Sequence, residues 1–267
     1  MNILNRSALG TNKGVPFFET PEIARFKWVR HGFLTRKGGV SPPPYEALNV
    51  GTTNGYLSAD ITKNRDLIAT TFGFDRNRLV LLRQVHQDRI LVLKAPPKNL
   101  LSSPEYDAMV TNLPDLVLGI RTADCLPILI VDRSKKVIAA IHAGRSGTAL
   151  RITAKTLTTM RDQFGCSLEN LRVAMGPSIG PCCYQIDEKV FQPEWDPFSV
   201  PCGEGRWRVD LARINLHQME KAGIARDQID WIDLCTRCNS DLFFSYRKEG
   251  SGRTGTQLSF IGMTDGG

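Results

Sequence analysis

The sequence predicts an α+β fold: a mixed β-sheet with flanking helices, in a single domain spanning residues 1–267. Three observations predict it. Strand-like apolar runs outnumber helical patterns, several of those runs follow one another with no helix between them, and past His142 the apolar period switches to that of an amphipathic helix packed on a sheet.

In chain order, "KWVRHGFLT" (27–35) reads as a strand. The heavily punctuated "KGGVSPPPYEALNVGTTNGYLS" (37–58) reads as a long loop near an active surface rather than a linker. "SADITKNRDLIATTFG" (58–73) is a helix opened by a Ser or Asp cap. Strands follow at "RLVLLRQVH" (78–86) and "RILVLK" (89–94), then, after a second loop (94–105), at "DAMVT" (107–111) and "LVLGIR" (116–121). "LPILIV" and "VIAAIH" are joined across Ser134, Lys135 and Lys136, the pattern of a hairpin. Ala149, Ile152, Thr156, Leu157, Met160 and Phe164 recur at helical steps, and "LRVAMG" (171–176) returns to strand. "DLARINLHQMEKAG" (210–223) is a helix with Asp210 as N-cap and Gly223 as stop. "DWIDL", "LFFSYR" and "GTQLSFIG" close the chain as strands.

Composition narrows the function classes. The 267 residues, 42% hydrophobic and 23% charged, suffice for a sizeable core. The longest apolar stretch, Leu126 to Val131, is far too short to cross a bilayer, and the N-terminal residues lack the apolar core of a secretory signal, so a cytoplasmic protein with no membrane partner is expected. The net charge of +7 comes from 34 basic residues scattered along the chain, with no basic run interleaved with aromatics. That argues against nucleic acid as a partner and favours a small anion such as phosphate. Seven cysteines, an odd count, speak against a disulfide framework and for metal ligation or nucleophilic chemistry. The oligomeric state is not legible.

Three scarce residues sit where strands end: His86 in "RQVHQ", Cys125 in "TADCLP" and His142 in "IHAGRSG". Two imidazoles and a thiolate converging on one rim would form a tetrahedral zinc set with one position open, the mark of a catalytic rather than a structural ion. Each residue alone is equally a packed core side chain. Cys235 and Cys238 form a C-x-x-C that, with no second pair in sequence, is read as two ordinary cysteines, and Cys182-Cys183 are read as structural because adjacent residues rarely reach one site. His31 is a candidate for lining the active-site pocket, and His217, on a helix, is read as a surface or core residue.

The motifs "HGFLTRKGGVS", "LNVG", "QVH", "DAMVT", "TADCLP", "AAIHAG", "GPSIGPCCYQID", "WRVDLA", "CT" and "FFSYR" occur in the order seen in the YfiH-like, laccase-domain proteins, which the chain resembles from about His31 to Arg253. These proteins were formerly labelled multicopper polyphenol oxidases and are now described as purine nucleoside phosphorylases that also deaminate adenosine. The resemblance implies action on adenosine, inosine, guanosine or S-methyl-5'-thioadenosine, and a zinc ion held by His86, Cys125 and His142. Two departures stand out. The family's His-Ala-Gly-Trp-Arg-Gly reads here with Arg145 and Ser146 in place of Trp-Arg, and Gln87 replaces the usual glycine after the first histidine. Metal ligation is expected to survive, whereas the substrate role of the lost aromatic is in doubt.

Arg36 in "TRKGG" and Arg247 in "FFSYR" are forked cations suited to phosphate. Gly176 and Ser178 in "GPSIG" could form an anion nest or a tight turn. Asp124 is a candidate general acid or base, or the carboxylate that holds a ligand histidine. The catalytic set expected is therefore Cys125, Asp124 and His142. Other classes stay open at this point. One is a copper-dependent polyphenol oxidase with an axial methionine such as Met175, for which His31 and His217 alone would remain as further imidazole ligands. A hydrolase of peptides or cell-wall precursors, with Cys125 as nucleophile, is another. A non-catalytic metal-binding domain is the last.

Overall fold

The computed structural model describes residues 9–52, 58–95 and 105–264. Parts of both expected loops, 53–57 and 96–104, lie outside the described residues. Strands β1 (Leu9–Asn12) and β2 (Val15–Phe18) precede a short helix α1 (Pro21–Ala24). Then come β3 (Val29–Leu34), α2 (Ala59–Phe72), β4 (Leu79–Leu81), β5 (Ile90–Leu93), β6 (Ala108–Thr111), β7 (Val117–Thr122), β8 (Leu126–Asp132) and β9 (Val137–Ala143). Helices α3 (Arg145–Ala149) and α4 (Ile152–Phe164) lead to β10 (Leu171–Met175), β11 (Gln185–Asp187), β12 (Ser199–Pro201) and β13 (Arg206–Val209). The chain ends with α5 (Leu211–Lys221), β14 (Ile229–Trp231), α6 (Tyr246–Glu249) and β15 (Gln257–Met263).

The α+β class and the mixed pairing hold, but the strands divide between two stacked sheets rather than one. Their orders are β1-β2-β3-β15-β7-β4 and β14-β10-β8-β9-β6-β5, with a small third sheet β11-β13-β12. The reason lies in "LPILIV" and "VIAAI", which have no polar face to give to solvent. Ile128, Ile130, Ala139 and Ile141 pack under Ile152, Leu157 and Met160 of α4 and Leu216 and Met219 of α5. Leu129, Val131, Ile138 and Ala140 on the other face meet Leu118, Ile120 and Ile261 of the first sheet. Beyond that sheet, Leu34, Val117, Leu258 and Phe260 are covered by Ile68 and Phe72 of α2. Strands apolar on both faces require cover on both, and the layers run helix, sheet, sheet, helix.

Local signals explain most boundaries. Ser58 caps α2 by accepting from the Ile61 amide, and Gly73 ends it in the left-handed region at φ 68. Asp210 caps α5 through the Arg213 amide. The β8–β9 hairpin closes as expected, with Asp132 Oδ1 accepting from the amides of Ser134 and Lys135. Its register pairs Pro127 with His142 and Leu126 with Ala143. Cys125 and Gly144 therefore face each other across its open end. Two expected strands differ: 78–86 keeps strand geometry only over β4, and "LFFSYR" is not a strand. Phe243 and Phe244 are fully buried there, in a turn that feeds α6, so burial without ladder pairing produced the strand-like apolar signal. Among the described residues, no helix is long and apolar enough to cross a membrane.

Gly176 ends β10 where the two sheets touch. A Cβ there would lie 2.2 Å from Phe33 Cδ1 and 2.8 Å from Pro127 Cγ. Gly176→Ala is expected to cost about 1–3 kcal/mol by overpacking. Calorimetry should show the melting temperature falling by several degrees, and an unchanged value would mean that the sheets part there without strain.

Candidate metal-ligating and catalytic site

The hairpin register sets Cys125, just before β8, beside His142 on β9, and the β4–β5 loop brings in His86. One ligand atom from each residue lies within 4.8 Å of the others. His86 does not end a strand. The chain leaves β4 early because the amides of Val85, His86 and Gln87 turn inward onto the carboxylate of Asp107, at 3.3, 3.0 and 2.8 Å, and His86 takes a positive φ of 58°. Asp107 is fully buried, and its Oδ1 also engages His142 Nδ1 at 2.8 Å. With Nδ1 committed to the carboxylate, Nε2 is the His142 nitrogen left to act as a ligand.

Charge follows from this geometry. Burial would raise Asp107, but the hydrogen bond from His142 and the amides of Gln87 and His86 hold it below the usual carboxylate range. Burial also opposes charge on Cys125 and His142, and in both cases the partners prevail. His142 and His86 pull the Cys125 thiol down to about 6, and the Cys125 thiolate with Asp107 raises His142 to about 9. Free of metal, the pair stands as thiolate and imidazolium. The space between the ligands depends on Gly144, where a Cβ would lie 2.9 Å from Cys125 Sγ and 3.1 Å from His86 Nδ1. Two imidazoles and a thiolate around a cradle kept open by a glycine fit a tetrahedral ion, and all three residues line one cavity.

That cavity has a volume of about 680 Å³. Three arginines line it: Arg121 on β7, Arg145 at the start of α3 and Arg247 on α6. Gln84 clamps the main chain of Arg121, accepting from its amide at 2.9 Å and donating to its carbonyl at 2.7 Å. The Arg121 guanidinium donates to the Leu82 carbonyl, but its buried Nε has no partner, and burial lowers its pKa. Arg247 lies over the Tyr184 ring, 4.9 Å from its centroid. Gly51 and Thr52 bring the 37–58 loop to the cavity as its composition predicted, held by Asn49 Oδ1, which accepts from the amides of Gly51 and Thr256.

The remaining sequence candidates separate clearly. Arg247 reaches the cavity, whereas Arg36 does not line it. The Arg36 guanidinium pairs with Glu249 at 2.5 Å, donates to the carbonyls of Glu46 and Ser240, and lies over Phe244, so it ties loops together. The amides of "GPSIG" form no anion nest. Those of Gly176, Ser178 and Ile179 donate to the carbonyls of Pro127, Leu234 and Asp124, so the tight-turn reading holds and Gly176 packs on Phe33. Asp124 lines the cavity but holds no histidine. Its Oδ1 accepts from Thr236 Oγ1 at 2.6 Å and its Oδ2 from the Arg247 amide at 2.7 Å, and the histidine-holding role falls to Asp107. His31 is a buried core residue that accepts from the Thr20 amide, with a pKa lowered to about 3 by burial. His217 is exposed beside Phe198, and Met175 packs in the core rather than on the cavity.

Sequence reasoning passed over Asp107, Arg121 and Tyr184 as site residues. Asp107 and Arg121 carried a signal, since a carboxylate opening "DAMVT" and an arginine closing "LVLGIR" are charges attached to otherwise apolar strands.

Comparison with known proteins adds the following. The family model described as multi-copper polyphenol oxidoreductase laccase matches residues 30–264. The chain is 31% identical over 252 residues to purine nucleoside phosphorylase YlmD of Bacillus subtilis, covering 90% of each chain. It is 34% identical over 261 residues to a purine nucleoside phosphorylase of Deinococcus radiodurans, covering 95% of each. Among solved structures, YlmD from Geobacillus stearothermophilus superposes with a TM-score of 0.88 at 28% identity, over 97% of this chain and 100% of that one. Bacillus licheniformis hypothetical protein YfiH superposes with a TM-score of 0.87 at 31% identity, with the same coverage.

Three outcomes test the geometry. In metal-stripped protein, alkylation of Cys125, followed by peptide mass spectrometry, should rise through a midpoint near pH 6 instead of the ordinary thiol range. Asp107→Asn removes the charge that helps hold His142 protonated, so the midpoint should move up; an unmoved midpoint would detach Asp107 from the pair. Gly144→Ala should weaken metal binding at the trio by at least tenfold in a chelator competition, while circular dichroism stays native.

Proposed function

The chain belongs to the multi-copper polyphenol oxidoreductase laccase family, and on that footing we propose that it acts, as one catalytic domain, as a metal-dependent purine nucleoside phosphorylase. The observation that carries the proposal is the cavity itself, in which a metal-fitting His/Cys trio and three arginines share about 680 Å³, room for a nucleoside beside a phosphate. The curated relatives' names point the same way.

In this reading the C1′–N9 bond of the nucleoside breaks, a phosphate oxygen bonds to C1′, and the purine leaves with a proton. Arg145 and Arg247 bind the phosphate through their forked donors, and Arg121 adds positive charge from the wall. Asp124 holds the main chain of Arg247 and the Thr236 hydroxyl, so it positions the wall that meets the phosphate. Asp107 keeps His142 in one tautomer and orientation. When bound at His86, Cys125 and His142, zinc supplies Lewis acidity at the cavity. The substrates are adenosine, inosine, guanosine and S-methyl-5'-thioadenosine, and adenosine deamination shares the cavity. A cytoplasmic location suits seven cysteines, none of which is in a disulfide.

Copper oxidation of phenols fits less well. His31 is in the core, His217 is on the surface and Met175 is off the cavity, so the described residues gather no second imidazole-rich centre. The lowered Cys125 thiol beside His142 would also serve a cysteine hydrolase. The opening left by Gly144 between three ligand atoms favours the metal.

Zinc-loaded protein incubated with adenosine, inosine and methylthioadenosine, with and without phosphate, should release free base only with phosphate. Cys125→Ala should abolish that release. Arg145→Ala should raise the phosphate KM roughly 10- to 100-fold, the worth of a hydrogen bond to a charged group, whereas Arg36→Ala should leave it unchanged. Inosine from adenosine without phosphate would demonstrate the deaminase. No product from any substrate would remove the phosphorylase reading.

A further inference from the structure

A second cluster of soft ligands lies outside the cavity. The sulfurs of Cys182, Cys183, Cys235 and Cys238 all fall within 4.8 Å of one another, and all four are free thiols. Cys238 Sγ is 3.5 Å from Cys182 Sγ and 3.4 Å from Cys183 Sγ. From sequence alone, the C-x-x-C looks like two ordinary cysteines and the adjacent pair like structural ones. The fold instead joins them through a parallel bridge between Ser178 and Cys235, with the Ser178 amide donating to the Leu234 carbonyl and the Thr236 amide to the Ser178 carbonyl. After Gly180 the chain turns tightly, the amides of Cys183 and Tyr184 both donating to the Gly180 carbonyl, and this turn carries two successive thiols to the same point.

We propose that Cys182, Cys183, Cys235 and Cys238 form a mononuclear tetrathiolate metal site of the zinc class, which clamps the 178–184 and 234–239 segments together. The spacing fits. Four sulfurs at about 2.3 Å from one ion stand about 3.8 Å apart along the tetrahedron's edges; two of the observed separations, 3.4 and 3.5 Å, lie just below that value, and none exceeds 4.8 Å. An iron–sulfur cluster interposes several atoms between its cysteines and needs a wider cage. Four closed protein ligands mark a structural rather than a catalytic site. Its reach into the cavity is short, because Cys183 precedes Tyr184, on whose ring Arg247 lies, and Cys235 precedes Thr236, whose hydroxyl holds Asp124.

Metal analysis of the purified protein tests the proposal independently of what the histidine-bearing site holds. The natural chain should carry one more zinc per molecule than Cys235→Ser/Cys238→Ser, and His142→Ala should lose a different equivalent. Should the double variant fail to fold, a second measurement on the natural chain decides. Zinc added to the chelated protein should protect these four thiols from alkylation, residue by residue in peptide mass spectrometry, and raise the melting temperature. Equal metal content in the natural chain and the folded double variant would overturn the site. So would four thiols alkylated as fast with zinc as without it, a native disulfide among them, or iron accompanied by inorganic sulfide.

Discussion

With no exposed area, the carboxylate of Asp107 must find every hydrogen-bond donor inside the protein, because a buried charge without partners costs several kcal/mol. It takes three amides from the β4–β5 loop and one imidazole from β9. Satisfying those four donors at once determines where the loop leaves its strand, why His86 accepts a left-handed backbone, and which way the His142 ring faces. The same negative charge favours the imidazolium of His142, which in turn favours the thiolate of Cys125. Geometry and charge at the metal-fitting trio thus share one origin.

That constraint also separates what could be read in the sequence from what could not. The β8–β9 hairpin was legible because two unbroken apolar runs flank a polar turn, and its register alone sets Cys125 opposite Gly144. The identities of His86, Cys125 and His142 as a set were legible too. The backbone at His86 was not. "RLVLLRQVH" satisfies every local rule for a strand, and the group that unwinds it is a carboxylate some twenty residues away. Arg36 and "GPSIG" failed for a related reason. A forked cation beside glycines, or a row of amides in a turn, looks alike in sequence whether it faces a ligand or the chain itself, and here the partners are Glu249 for Arg36 and the carbonyls of Pro127, Leu234 and Asp124 for the amides.

The cavity holds more positive charge than its own wall neutralises. Arg121 sits in β7 with a buried Nε that nothing pairs, and two further arginines share the space. Guanidinium groups stay protonated even when burial disfavours charge, so the cavity presents three fixed cations to whatever enters it. One of the three is Arg145, which stands where the resembling family carries tryptophan. Its place directly after Gly144, at the start of α3, puts a cation where an aromatic wall is usual. The exchange replaces stacking surface with a fixed positive charge; under the proposed phosphorylase function, that favours recognition of the phosphate over the base.

The two walls of the cavity are held by different means. On the sheet side, β7, β8 and β9 belong to long paired strands, and Asp107 locks the loop that reaches across them. The opposite side is built from short pieces, Tyr184 in the turn after Gly180, the four-residue α6 and the 254–256 segment, backed by the 234–239 turn. Segments with so little ladder pairing open readily unless something else ties them down. Three ties are present: the Ser178–Cys235 bridge, the Asp124 carboxylate between Thr236 and Arg247, and the convergence of four sulfurs one residue from Tyr184 and Thr236. The first two consist of two hydrogen bonds each, which thermal motion can break one at a time. An ion held by four sulfurs would close both segments into one body, giving the arginine wall a rigidity that its own secondary structure does not supply.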